Sequence, residues 1–180
     1  MNLRELVQVA LLLAIGYILH LMVPGFVFGM KPDLLLGMLF IVIMLSRSFS
    51  SVLVAGLAAG LLTALTTNFP GGQVPNLIDK VFTSLFVFGL VALMRGRVND
   101  KVISGIVGVL GTIFSGTIFL GSAAVLAGLP GSFTALFVGA VLPAAAVNTV
   151  AVVVLYPIVL FSRSAVEKSR SVPVGRTQAR

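Results

Sequence analysis

Six long apolar runs, separated by short polar breaks, set the pattern of this chain: Leu6–Val23, Leu34–Leu45, Val52–Leu65, Leu77–Met94, Val102–Ala127 and Phe133–Phe161. A helix crossing the ~30 Å hydrocarbon core of a bilayer needs about 20 apolar residues. The pattern therefore predicts an all-α membrane protein with six transmembrane helices. The second and third runs are short, and the second holds no polar residue at all. The fifth and sixth are long enough to tilt or to carry a break. Pro143, inside the sixth, cannot donate to the carbonyl of Gly139 and should kink that helix. The first run continues to Val23 without a small-residue cleavage site, as expected of a retained helix. After Phe161 the chain turns polar and basic, which divides it into a membrane domain over 1–161 and a basic cytoplasmic tail over 162–180. That tail is expected to be mobile and to lie against anionic lipid.

Composition agrees. Of 180 residues 58% are hydrophobic and 9% charged, against about 25% charged in a soluble domain, so lipid must cover most of the surface. Basic residues give the orientation. Arg4, Arg47, Arg95, Arg97, Lys101, Arg163, Lys168, Arg170, Arg176 and Arg180 fall on one side of the six runs, and only Lys31 and Lys80 fall on the other. Positive charge collects on the cytoplasmic side. Both termini should then be cytoplasmic in a multi-pass membrane protein. The net charge of +7 follows from this asymmetry and not from nucleic-acid binding, since no basic domain with interleaved aromatics is present.

The chain lacks cysteine and has one histidine, His20, which excludes disulfides, thiol catalysis and multi-histidine metal sites. It contains no phosphate loop, nucleophile elbow or His-Glu-x-x-His motif. The expectation is a transporter or binding subunit, not an enzyme, with no cofactor and no ATPase of its own.

Polar chemistry concentrates in two stretches at the outer ends of the runs. One is Asn68-Phe-Pro-Gly-Gly-Gln-Val-Pro-Asn-Leu-Ile-Asp79-Lys80, the other Val23-Pro-Gly-Phe-Val-Phe-Gly-Met-Lys31-Pro-Asp33. Each offers one cation, one anion and a Pro-Gly pair suited to a type II turn; Pro130-Gly131 marks the third outer turn. An Asp or Lys at the centre of a membrane helix costs roughly 2.5–3.5 kcal/mol on insertion scales, so such residues are functional candidates. Asn76, Asp79, Lys80 and Thr83 follow i, i+3, i+4, i+7 spacing and form one stripe. It reads either as a solvated helix end or as a face lining a cavity, and Thr83 fits the second better. With each stretch carrying both signs, the two together suit a small zwitterion; alternatively each Lys–Asp pair neutralises itself. Asn148, inside the sixth run, must face protein, water or ligand. His20 reads as a packed side chain with a local hydrogen bond or as a ligand contact.

Small residues mark helix faces for close approach. They include Ala10 and Ala14 with Gly16 nearby, Gly56 and Gly60, Ala55 and Ala59, and a series of glycines in the fifth run. A six-helix chain of this size with Ala-x-x-x-Ala in its first helix resembles the S components of energy-coupling factor (ECF) transporters. More narrowly, the two polar stretches, the second extended back to Ala64, resemble the tryptophan transporter group called TrpP. The resemblance implies an S-component-like bundle that binds its substrate on the outer side. It also implies partners, a T subunit and two ATPase subunits, with Ala10 and Ala14 as the docking face. For tryptophan, Asp33 or Asp79 would hold the ammonium and Lys31 or Lys80 the carboxylate. Phe26, Phe28 or Phe69 would stack the indole, and Asn148, Thr83 or His20 would accept its N–H. Two rival readings stand beside this one: an autonomous ion-coupled carrier of an aromatic amino acid, and a multi-helix scaffold without transport activity.

The orientation is testable because no native thiol competes. The outer loops are expected at 24–33, 66–76 and 129–132, so single cysteines at Gln73 and Ser132 should label from outside in intact cells. Labelling of Arg97→Cys from outside would overturn the helix count.

Overall fold

The computed structural model describes residues 3–23 and 31–171. Phe26 and Phe28 lie outside them, as does the turn expected at Pro24-Gly25. Among the described residues the chain is all-helical, in six successive helices. These are α1 (Leu3–Met22), α2 (Leu34–Leu45), α3 (Phe49–Thr66), α4 (Gln73–Met94), α5 (Asp100–Leu126) and α6, in which Phe133–Leu136, Phe137–Val141 and Leu142–Ser171 follow without a break. All but α2 are long and apolar enough to cross a bilayer.

The short helix is the centre. From Leu35 to Met44 every residue of α2 is buried, and it packs against each of the other five helices. A helix that is apolar all round belongs inside protein. At 1.5 Å per residue it rises only about 18 Å, so its ends lie within the bundle and need partners. Asp33 caps the first turn, its Oδ1 accepting from the Leu36 N–H at 3.2 Å. At the far end Arg95 Nη2 donates to the carbonyls of Met44 (2.8 Å) and Ser46 (3.0 Å), and Ser46 Oγ donates to Glu5 at 2.9 Å. The structure thus gathers Glu5, Arg95 and the end of α2 at one end of the bundle, the end to which the charge count assigns the cytoplasm.

Helix α3 is held against α4 by its small face. A methyl added at Gly56 would overlap the Ser84 side chain, and one at Gly60 would come within 3.1 Å of Leu77 Cα. Close backbone approach of this kind substitutes for hydrophobic driving force in lipid. Ala10 and Ala14 do not serve internal packing: both are exposed, and it is Gly16 that seats α1 on Met38 and Leu35 of α2.

Both long helices carry the irregularity their length suggested. Val107–Gly111 in α5 and Phe137–Val141 in α6 are π-helical turns. The second immediately precedes Pro143, whose missing N–H disturbs the i→i−4 ladder there. The outer turn at Pro70-Gly71 has the expected form: Gly71 has φ +67° and Gly72 N–H donates to Phe69 O at 3.0 Å, as a type II turn requires. The turn at Pro130-Gly131 does not; Gly128 carries the positive φ, just past the end of α5. Several boundaries also differ: α1 begins at Leu3, α5 at Asp100 and α4 at Gln73, so residues 73–76 of the outer loop expected at 66–76 are helical. Helix α3 begins at Phe49 because the polar Ser50 and Ser51 are inside it. Helix α6 runs past Phe161 to Ser171, so the polar composition after 161 does not mark where the helix ends.

Gly108 tests the packing of α5 on α6. A Cβ there would lie 2.6 Å from Thr149 Cα, whereas Gly105 has nothing within 4 Å. Gly108→Ala should lower stability by about 1–3 kcal/mol in detergent thermal unfolding, and Gly105→Ala should not. Equal effects would mean that the two helices are not this close.

Candidate functional site

A cavity of about 90 Å³ lies between the helices at the end away from the arginines, lined by residues from all six helices and from the α3–α4 loop. The α4 stripe is what puts charge there. Asn76, Asp79, Lys80 and Thr83 are all buried, because α3 presses one side of α4 and α5 packs against it as well. The stripe is therefore not a solvated helix end.

Lys80 is the hub. Its Nζ lies 2.6 Å from Asp79 Oδ2 and 2.8 Å from Asp33 Oδ2. Asp33 is held in turn by α1, with His20 Nδ1 2.9 Å from its Oδ1. Asp79 is fixed by two hydroxyls, Thr83 Oγ1 donating to Oδ1 at 2.8 Å and Ser115 Oγ to Oδ2 at 2.9 Å. The two polar stretches of the sequence thus form one cluster: the ion pair runs between them, and Asp33 pairs with Lys80 and His20, not with Lys31. Burial alone would raise the Asp33 carboxyl, but the Lys80 ammonium and His20 outweigh it and hold the group well below the usual carboxylate range. Such an arrangement suits a site that must present fixed charge in a medium where an unpaired ion is costly.

The remaining expected residues divide. Lys31, half-buried, lines the same cavity, as do His20, Asp33, Asn76, Asp79, Lys80, Asn148 and Phe69. Thr83 does not line it; its hydroxyl is spent on Asp79, which it supports from behind. The Asn76 amide donates to Gly72 O at 2.8 Å, steadying the first turn of α4. Phe69 sits under the Pro70-Gly71 turn and meets Phe119 edge to face at 5.2 Å, which gives the cavity an aromatic wall beside its charged one. Asn148 is fully buried and donates from Nδ2 to Thr112 Oγ1 at 3.2 Å.

Sequence reasoning missed Ser115, Thr112, Thr63 and Phe119 as cavity residues. In α5 nothing separates them by type from Thr117 and Ser122, whose hydroxyls bond back to their own helix (Ile113 O, 2.8 Å; Ile118 O, 2.7 Å). The π-helical turn just before Thr112 is part of the reason: it shifts the register that ideal helical spacing would use to pick the inward face.

Removing the hub should be severe. Lys80→Met leaves the buried Asp79 and the half-buried Asp33 without their shared cation and should cost about 3–5 kcal/mol in thermal unfolding. The double variant with Asp79→Asn should recover part of that loss. Wild-type stability in Lys80→Met would show that the cluster is solvated.

The family model described as tryptophan transporter TrpP matches residues 2–163. Three relatives carry the description "Probable tryptophan transport protein". The one from Clostridium acetobutylicum is 44% identical over 156 residues, 87% of this chain and 91% of its own. That from Bacillus subtilis is 46% identical over 159 residues, 88% and 92%. That from Clostridium perfringens is 47% identical over 159 residues, 83% and 87%. No solved structure matches. A match over nearly the whole chain, with relatives this similar at nearly full length, means that the chain belongs to the tryptophan transporter TrpP family.

Proposed function

We propose that this protein is the substrate-binding subunit of a tryptophan uptake system, taking the amino acid from the outer side of the plasma membrane and energised by a separate T subunit and two ATPase subunits. The observation that carries the reading is the buried Lys80 cluster beside a phenylalanine wall in one cavity. Two carboxylates, Asp33 and Asp79, share one ammonium. Beyond the contacts with Lys80, His20, Thr83 and Ser115, their remaining lone pairs can accept from the ammonium of an amino acid. The ligand carboxylate takes Lys31, or the third N–H of Lys80, of which two are used. Phe69 and Phe119 close the cavity on one side of this head-group position, and the indole extends the other way, along Gly116 and Ala144.

The energising partners rest on two features. The chain carries no phosphate-binding loop, and Ala10 and Ala14 present a small-residue face outward on α1, with exposed Val7, Leu11 and Ile18 around it. Small residues at a lipid-facing position permit another helix to approach closely. An autonomous carrier would have no use for such a face.

The chain contains no tryptophan, so indole fluorescence reports ligand alone. Tryptophan added to the stripped, folded protein should give saturable, blue-shifted emission. Asp79→Asn should weaken that binding by about 2–5 kcal/mol. Ala14→Leu should bind normally yet fail to support uptake in cells that contain the ATPase module. Absence of a saturable signal in the wild type would remove tryptophan as the ligand, and joint loss of binding and uptake in Ala14→Leu would remove the docking role.

A further inference from the structure

Asn148 brings to the cavity a polar atom that takes no part in the charged cluster. Asn148 Oδ1 is buried and accepts no hydrogen bond, although the side-chain amide is anchored on its other side by Thr112. A buried acceptor without a donor is costly, and here it belongs to a residue that lines the cavity. Its depth is informative. Ser115, one turn along α5 from Thr112, touches Asp79, so Asn148 lies about one helical turn, roughly 5 Å, below the charged cluster. Phe119 lies a turn above it on the same helix. An α-amino acid whose head group meets Asp79 and Lys80 places a side chain of indole length at the level of Asn148.

We infer that Asn148 is a specificity-determining residue that accepts the ring N–H of the ligand, and that Thr112 is the positioning residue that turns the amide so that oxygen faces the cavity. The inference rests on the tryptophan-binding reading and deepens it. A site built around a waiting acceptor rejects an isostere that lacks the donor, because the acceptor then stays buried and unpaired. The site should therefore select ring N–H and not merely aromatic bulk.

The test compares tryptophan with 3-benzothienylalanine, in which sulfur replaces the ring N–H, by competition on the purified full-length chain. Wild type should prefer tryptophan by roughly 10- to 100-fold. In Asn148→Leu the preference should fall to within about threefold, through loss of tryptophan affinity and not of analogue affinity. Thr112→Val, which leaves the acceptor but frees the amide, should give an intermediate preference with analogue affinity unchanged. The wild-type comparison needs no variant, so a folding defect in Asn148→Leu does not spare the inference. Equal wild-type affinities for the two ligands would overturn it while leaving tryptophan binding intact. Preference retained in a folded Asn148→Leu would do the same. Failure of the wild type to bind either ligand would instead sink the tryptophan reading beneath it.

Discussion

The shared ion pair of Lys80 with Asp33 and Asp79 is the constraint on which the rest of this bundle depends. In a low-dielectric interior an unpaired charge is far more costly than in water, so these three side chains cannot move apart independently. Asp33 begins the central helix α2, and Lys80 and Asp79 lie on α4. The same α4 supplies Arg95 to the carbonyls that end α2. One long helix therefore clasps one short helix at both ends. This explains how a 12-residue apolar helix, too short to span lipid, is stably held at the centre. His20 and Ser115 extend the tie to α1 and α5.

The construction that stabilises the bundle also prepares the site. Charges held by hydroxyls and by a helix cap are already oriented, so a zwitterion meets fixed partners and little reordering is needed on binding. The cluster leaves Lys31 and one Lys80 proton for a carboxylate, and the phenylalanine pair at the turn above gives an apolar wall. Asp33 and Asp79 are anchored from different helices, which ties α1, α2, α4 and α5 to one cluster. His20 joins this cluster to α1, the helix that carries Ala10 and Ala14 outward.

Much of this was legible in the sequence, and the reasons are physical. Six apolar runs, the one-sided arginines and the i, i+3, i+4, i+7 stripe of α4 are local patterns that any single helix obeys. The Pro70-Gly71 turn was legible because only glycine takes its φ without strain. What local pattern cannot carry is partnership across helices. Asp33 reads as the neighbour of Lys31, and only the packing of α2 on α4 sends it to Lys80. Asn148 announced itself as a buried amide, but the identity of its partner, Thr112, depends on a π-helical turn that displaces the register of α5. The end of α6 was misplaced because composition turns polar at Ser162, while the backbone continues its own hydrogen bonds to Ser171.

The central claim is that the buried Lys80 cluster receives the head group of the substrate. A structure determined with tryptophan bound tests it most directly. The account predicts the ligand ammonium at Asp33 or Asp79 and its carboxylate within hydrogen-bonding distance of Lys80 or Lys31, with the indole N–H at Asn148 and the Phe69–Phe119 wall on the other side of the head group. Tryptophan bound elsewhere, with the Lys80 cluster closed and without ligand contact, would contradict it.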